Sequence, residues 1–204
     1  AGVGSNTNPH GLDRGGWTLT GGITFYNSAV NLSHCNIHTS FAEDALNLIS
    51  SRFSLSESNF SQNSSDGVDG DFVEGIIQNC TFNSIGGDAL DFSGSKIKMK
   101  NVIASEIVDK AVSAGENSFV IIEGAIFNNV GYGIASKDLS SVEAYDISIN
   151  DAKVAAVAAY QKKELFGPSS ISLERTNITE SATSFLVQEN STAIINGEEI
   201  QGVN

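Results

Sequence analysis

Ser65-Asp66-Gly67-Val68-Asp69-Gly70-Asp71-Phe72 decides the fold, because closely similar text recurs on both sides of it at a near-constant interval. Upstream stands Glu43-Asp44-Ala45-Leu46-Asn47-Leu48. Downstream come Gly87-Asp88-Ala89-Leu90-Asp91-Phe92 and a weaker copy, Asp109-Lys110-Ala111-Val112-Ser113-Ala114. Asp44, Asp66, Asp88 and Lys110 share one register, and Asn47, Asp69, Asp91 and Ser113 share another. The step is about 22 residues, a period at which a repeat signals a solenoid.

Each repeat holds two or three short alternating runs separated by Gly, Asn, Asp or Ser, with no run of helical period. In the coil from Asp88 to Asp109 the inward pairs are read as Leu90 and Phe92, Ile97 and Met99, and Ile103 and Ile107. The next coil repeats them as Val112 and Ala114, Val120 and Ile122, and Ile126 and Val130. Three inward pairs per coil predict a three-sided all-β tube of about eight coils, in which stacked equivalents bury a core that no single repeat could bury alone. Residues 1–16, rich in Gly, Asn and Ser, read as an irregular lead-in, and 17–204 as one solenoid domain. Trp17 to Phe25 (WTLTGGITF) predicts two short strands at its start. No capping helix is legible at either end, so the domain is expected to belong to a longer protein with flanking domains, or to stack end to end. The C-terminal INGEEIQGVN is expected to act as a modest cap.

Neither the Leu-x-x-Leu-x-Leu text of a leucine-rich repeat nor the Gly-Gly-x-Gly-x-Asp text of a calcium roll is present. Blocks such as Gly86-Gly87-Asp88-Ala89-Leu90-Asp91-Phe92-Ser93-Gly94-Ser95 and Asn79-Cys80-Thr81-Phe82-Asn83 resemble the right-handed parallel β-helix, or pectate-lyase-like, superfamily. The resemblance covers nearly everything from Gly22 onward. It implies a right-handed parallel β-helix, a fold that serves polysaccharide-cleaving enzymes, adhesins and structural modules alike.

With 11 Lys and Arg against 24 Asp and Glu, the net charge of −13 disfavours nucleic acid or anionic membrane surfaces as partners. No apolar run reaches the ~18–20 residues of a spanning helix, so no membrane insertion is expected. Cys35 and Cys80 fall two coils apart, roughly 9.6 Å at the ~4.8 Å strand spacing. That exceeds the ~7 Å limit for a disulfide and predicts two free thiols. Six Asn-x-Ser/Thr triplets carry little weight as glycosylation signals, because Asn and Ser are ordinary turn residues in a solenoid.

The acidic registers are the candidate site. With Leu and Phe inward, the intervening residue faces out, so Asn47, Asp69 and Asp91 should project from one face ~4.8 Å apart with Asp71 beside them. Like charges at that spacing raise one another's pKa or recruit a cation. A Ca²⁺ cofactor would take oxygens from Asp66, Asp69, Asp88 and Asp91. The resemblance adds a lyase reading, in which a basic residue beside clustered carboxylates abstracts a proton. Lys110 is the residue of that type in line, with Asp69 and Asp91 as its catalytic partners. A hydrolase would use Asp69 and Asp91 as acid and base, although their ~4.8 Å spacing suits a retaining geometry and the family's hydrolase and lyase signatures are missing. Asn47, Asp71, Ser113 and Lys137 complete the set as substrate-binding candidates. The competing interpretation is structural: Asp44, Asp66 and Asp88 cap turns, and Lys110 closes their column by pairing with Asp88.

Other clusters read as scaffold. Lys96, Lys98 and Lys100 face outward, but Arg52, Glu74 and Lys96 share a column and Lys100 lies beside Glu123, which describes charge-alternating ladders. His34, Cys35 and His38 do not converge on one ion and lack a fourth zinc ligand. About seven extra residues between Tyr160 and Ser169 are expected as a loop overhanging the acidic face. The expected function is an extracellular β-helix, secreted, at the cell surface or periplasmic, that engages a polysaccharide with or without Ca²⁺. The alternative is a noncatalytic structural or adhesive module.

Overall fold

The computed structural model describes residues 12–14 and 17–203, and among them the chain is built from strands and turns without a helix. The strands stack in parallel, coil upon coil, on three faces. The first face holds Gly21–Tyr26, Asp44–Ile49, Asp66–Asp71 and Leu90–Ser93, followed by the corresponding parts of longer bent strands and Phe185–Val187. The second runs from Ala29–Ser33 and Arg52–Ser56 to Ser170–Glu174 and Thr192–Ile195. The third runs from Asn36–His38 and Asn59–Asn63 to Asn177–Thr179. Lys96–Gly115, Phe119–Lys137 and Ser141–Tyr160 each bend through all three faces, their ladders shifting register once, between Ile107 and Lys110 and between Val130 and Tyr132. About eight coils of about 22 residues result, as the repeat requires.

The corners are made by single residues in left-handed backbone conformation, which turn an extended chain sharply without a long loop. One corner column runs His34, Glu57, Asn79, Asn101, Gly124, Asp146 and Arg175. A second runs Thr39, Gln62, Ser84, Glu106, Asn129, Asp151 and Glu180, and a third includes Asn27, Ser50, Phe72, Gly94 and Glu116. Three such columns make the tube three-sided.

They also correct the inward assignment on the third face. Ile103 and Ile126, expected inside, are 43% and 51% exposed, whereas Val102, Ala104 and Phe127 are fully buried. The left-handed corners at Asn101 and Gly124 place two outward residues in succession and shift the alternation by one. The other expected core positions hold. Leu46, Val68, Leu90, Val112, Ile134 and Val157 stack at 0% exposure, and the rings of Phe60 and Phe82 lie parallel with centroids 5.0 Å apart. Burial of such a column, not any local propensity, holds successive coils in register.

Buried serines knit the corner between the first two faces. Ser118 Oγ accepts from the Ser95 N–H at 2.9 Å, and Ser95 Oγ from the Val73 N–H at 3.0 Å. Cys35 and Cys80 are free thiols. Leu12–Arg14, inside the expected irregular lead-in, is instead a strand paired antiparallel with Trp17–Leu19, while residues 1–11 lie outside the described residues. At the other end Glu198–Ile200 folds back antiparallel on Thr192–Ile195.

Candidate functional site

The first face carries the predicted residues in the predicted register, but not all of them project into solvent as expected: Asn47, Ser113 and Lys137 are buried, at 1%, 0% and 6% exposure, and Asp69, Asp71 and Asp91 are half-buried. Thr24, Asn47, Asp69, Asp91 and Ser113 are successive ladder partners, one per coil, continued by Ala135 and Ala158. Asp44 pairs with Asp66 in the column on one side, where Lys110 pairs with Tyr132 further along. Asp71 and Ser93 are partners on the other side, and Lys137 and Tyr160 are partners further along it.

The flanking aspartates serve the scaffold. Asp66 Oδ1 accepts the Asp88 N–H at 2.7 Å, and Asp88 Oδ1 accepts the Lys110 N–H at 2.8 Å, so each carboxylate caps the backbone of the next coil. Lys110 closes the column with its Nζ 3.2 Å from Asp88 Oδ1 and a second contact to Asp109. Burial works against that ammonium, but Asp88 and Asp109 outweigh it and raise its pKa. Lys110 is therefore an ammonium ion at neutral pH, with its protons directed at two carboxylates.

The central column is different. Asp69 Oδ2 accepts from Asn47 Nδ2 at 2.9 Å, and among the described residues no cation pairs with it. Burial, together with the charges of Asp44, Asp71 and Asp91, pushes its pKa up to about 9, so its carboxyl is protonated at neutral pH. Asp44 and Asp88 are raised to about 7 and Asp66 to about 6, in each case chiefly by burial, and Asp71 is raised for the same reason. Asp91 lies 3.8 Å from the Nζ of Lys137, whose side chain is 7% exposed and passes over Gly115. That separation is an ion pair too long for a hydrogen bond, and Asp91 Oδ1 is buried without a hydrogen-bond partner. Thr24 Oγ1, Asn47 Oδ1 and Ser113 Oγ share its condition, so four buried polar atoms in one column lack hydrogen bonds. Among the described residues no group of three or more His, Cys, Asp or Glu is arranged to hold a metal ion, and Asp66 and Asp88 each have one oxygen committed to backbone.

The rim holds groups that the sequence reading did not select. Tyr132 stands one coil beyond Lys110, whose Nζ lies 5.9 Å from the ring centroid, and the register of Lys110 would have pointed to it. Tyr160, its pKa pushed up by burial to about 12, belongs to the column of Lys137. The insertion after Tyr160 leaves the first face where expected. Asp138 Oδ1 accepts the N–H groups of Lys162 and Lys163 at 2.6 and 2.7 Å, and Lys163 reaches back to pair with Glu116, which also receives the Ser93 hydroxyl. No sequence signal joined Glu116 to Lys163, because 47 residues separate them.

Elsewhere several outward groups are matched coil to coil. Arg52 and Glu74 pair at 3.2 Å, Lys100 and Glu123 at 3.5 Å, and Arg175 and Asp146 at 2.7 Å. Asn36, Asn59 and Thr81 form a hydrogen-bonded ladder on the third face. A cavity of about 570 Å³ lies on the second face against Phe53, Ile76 and Phe119, and none of the predicted site residues line it.

Over residues 21–165 the sequence matches the family described as "Right handed beta helix region". No curated protein sequence matches it. Several solved structures are similar, among them these two. One is the catalytic domain of a GH87 α-1,3-glucanase in complex with nigerose, at 11% identity and a TM-score of 0.39 over 84% of this chain and 49% of that one. The other is HetL, a pentapeptide repeat protein involved in heterocyst differentiation regulation from the cyanobacterium Nostoc, at 10% identity and a TM-score of 0.18 over 88% and 92%. The chain spans about half the length of the glucanase domain, and at these TM-scores neither likeness bears on activity.

Proposed function

Because the chain belongs to the right-handed β-helix family, we propose that the outer surface of its first face binds a linear polysaccharide along the stacking axis. The observation that carries this reading is the contrast between faces. Several outward groups on the second and third faces pair with ladder partners, as Arg52 does with Glu74 and Lys100 with Glu123, whereas the first face gathers Asp69, Asp71 and Asp91 together with four buried polar atoms without hydrogen bonds in one column. Sugar hydroxyls both donate and accept, so a chain of them suits the carboxyl groups of Asp69, Asp71 and Asp91, which reach the surface in part. The coil repeat spaces successive groups of the column by ~4.8 Å along the direction of such a polymer. Uncharged sugars fit the acidic surface directly; an acidic polymer would need a cation.

Ca²⁺ is the cation we propose for that case, held by Asp69 and Asp91, where it would displace the proton from Asp69 and balance the negative charge this creates. The reactive pair within the reading is the same two residues, Asp69 as proton donor and Asp91 as carboxylate. Lys110 is the weaker choice as a proton abstractor, since an ammonium ion pinned between Asp88 and Asp109 has no free lone pair. A protein of this kind belongs where polysaccharides are met, and we place it outside the cell, secreted, at the surface or in the periplasm.

The second reading, a noncatalytic structural module, is favoured by the use of Asp66 and Asp88 as coil-to-coil caps. Calorimetric titration with cellohexaose, xylohexaose, laminarihexaose and hexagalacturonate, with Ca²⁺ or EDTA, separates the two readings. Product analysis for new reducing ends and for unsaturated uronates accompanies it. Binding abolished by Asp91→Asn supports the proposal. The absence of binding to every probe, or binding indifferent to both Asp69→Asn and Asp91→Asn, leaves the structural reading.

A further inference from the structure

Phe72 occupies a corner position where the chain elsewhere places residues suited to a tight turn. Its φ is +54°, in the left-handed region that bulky side chains avoid, and its column neighbours are Asn27, Ser50, Gly94 and Glu116. Burial does not compensate for this conformation, since Phe72 is 64% exposed. The ring lies against the next coil at Gly94, where an added Cβ would fall 2.7 Å from Phe72 Cδ1. Gly94 thus leaves room for the ring to lie back on the corner. Polar groups of the first face border it. Asp71 precedes it in the chain, Ser93 is the ladder partner of Asp71, and Glu116, held by Ser93 and Lys163, stands one coil beyond Gly94.

A flat, open hydrocarbon ring beside carboxylates and an ammonium group matches the two-sided chemistry of a pyranose, which has an apolar C–H face and an equatorial girdle of hydroxyls. The geometry points to a sugar subsite at the corner between the first and second faces. Phe72 is its stacking platform, Gly94 its support, and Asp71 with the Glu116–Lys163 pair its hydroxyl partners. The inference rests on the polysaccharide reading of the first face and names where along that face one ring is gripped.

The strained backbone supplies a discriminating test. Asn tolerates left-handed φ and already stands in this column at Asn27, so Phe72→Asn should leave the melting temperature unchanged or raise it. The same substitution should weaken hexasaccharide binding by about tenfold, which corresponds to losing one good contact. Phe72→Trp should retain binding. A wild-type protein that binds none of the four hexasaccharides overturns the reading of the face and the subsite with it. Wild-type binding that is undiminished in Phe72→Asn overturns the subsite alone. A Phe72→Asn variant that melts lower and binds weakly in proportion assigns the ring to packing and also overturns the subsite.

Discussion

Replacing Asp69 by Asn tests the electrostatics of the first face. Asn is nearly isosteric with the protonated carboxyl, its oxygen can still accept from Asn47 Nδ2, and its amide remains a donor. The folded-state pKa of Asp69, about 9, lies above the unfolded value of 3.8, so between those limits the native protein holds a proton that the unfolded chain has released. The associated stability is fully present below pH ~4 and drains as the pH rises toward 9. One proton corresponds to about 1.4 kcal/mol per pH unit, hence roughly 4 kcal/mol between pH 5 and 8. At ~2–4 °C per kcal/mol for a domain of this size, the contribution to the melting temperature over that range is roughly 8–16 °C. Asp44, Asp88 and Asp66, raised to about 7, 7 and 6, add their own slope at lower pH in both proteins, so the difference between variant and wild type reports Asp69 together with its coupling to the neighbouring carboxyls. The assay is thermal unfolding followed by circular dichroism in EDTA at four pH values from 5 to 8. Asp69→Asn should show the flatter profile and exceed the wild type at pH 8. Parallel profiles, or a variant less stable than wild type at pH 8, would refute the claim that a buried, uncompensated carboxyl stands at this position.

Lys110→Met strands the Asp88 carboxylate, whose side chain is 6% exposed, and should cost about 3–5 kcal/mol in urea unfolding at pH 8. The double variant Lys110→Met/Asp88→Asn should recover much of that loss, and failure to recover would show that Lys110 acts through packing, not charge. Gly75→Ala places a Cβ 2.0 Å from the Phe53 ring and should destabilise by about 1–3 kcal/mol, with Phe53→Leu restoring stability in the same unfolding assay.

The recurrence of Asp-x-x-Asn/Asp at a step of about 22 residues was enough, without any coordinates, to give the solenoid, its coil count and the shared register of Asn47, Asp69, Asp91 and Ser113. In a repeat fold each residue's neighbours across the ladder are its own equivalents one period away, so register in the sequence becomes adjacency in space. The same rule made Cys35 and Cys80 two coils apart and the Arg52–Glu74 and Lys100–Glu123 pairs readable in advance.

What the period could not reach were features set by local backbone and by side-chain reach. Ile103 and Ile126 face outward because Asn101 and Gly124 adopt left-handed conformations, which composition alone does not announce. Lys137 lies over Gly115 toward Asp91, and Lys163 comes back to Glu116 from an insertion that breaks the period. Nor does repetition distinguish a carboxylate that caps a backbone N–H, as Asp66 and Asp88 do, from one left without a partner. Asp91 Oδ1, buried without a hydrogen bond and 3.8 Å from the Lys137 ammonium, differs from them because the depth and company of a side chain are properties of the packed tube, not of the repeat that builds it.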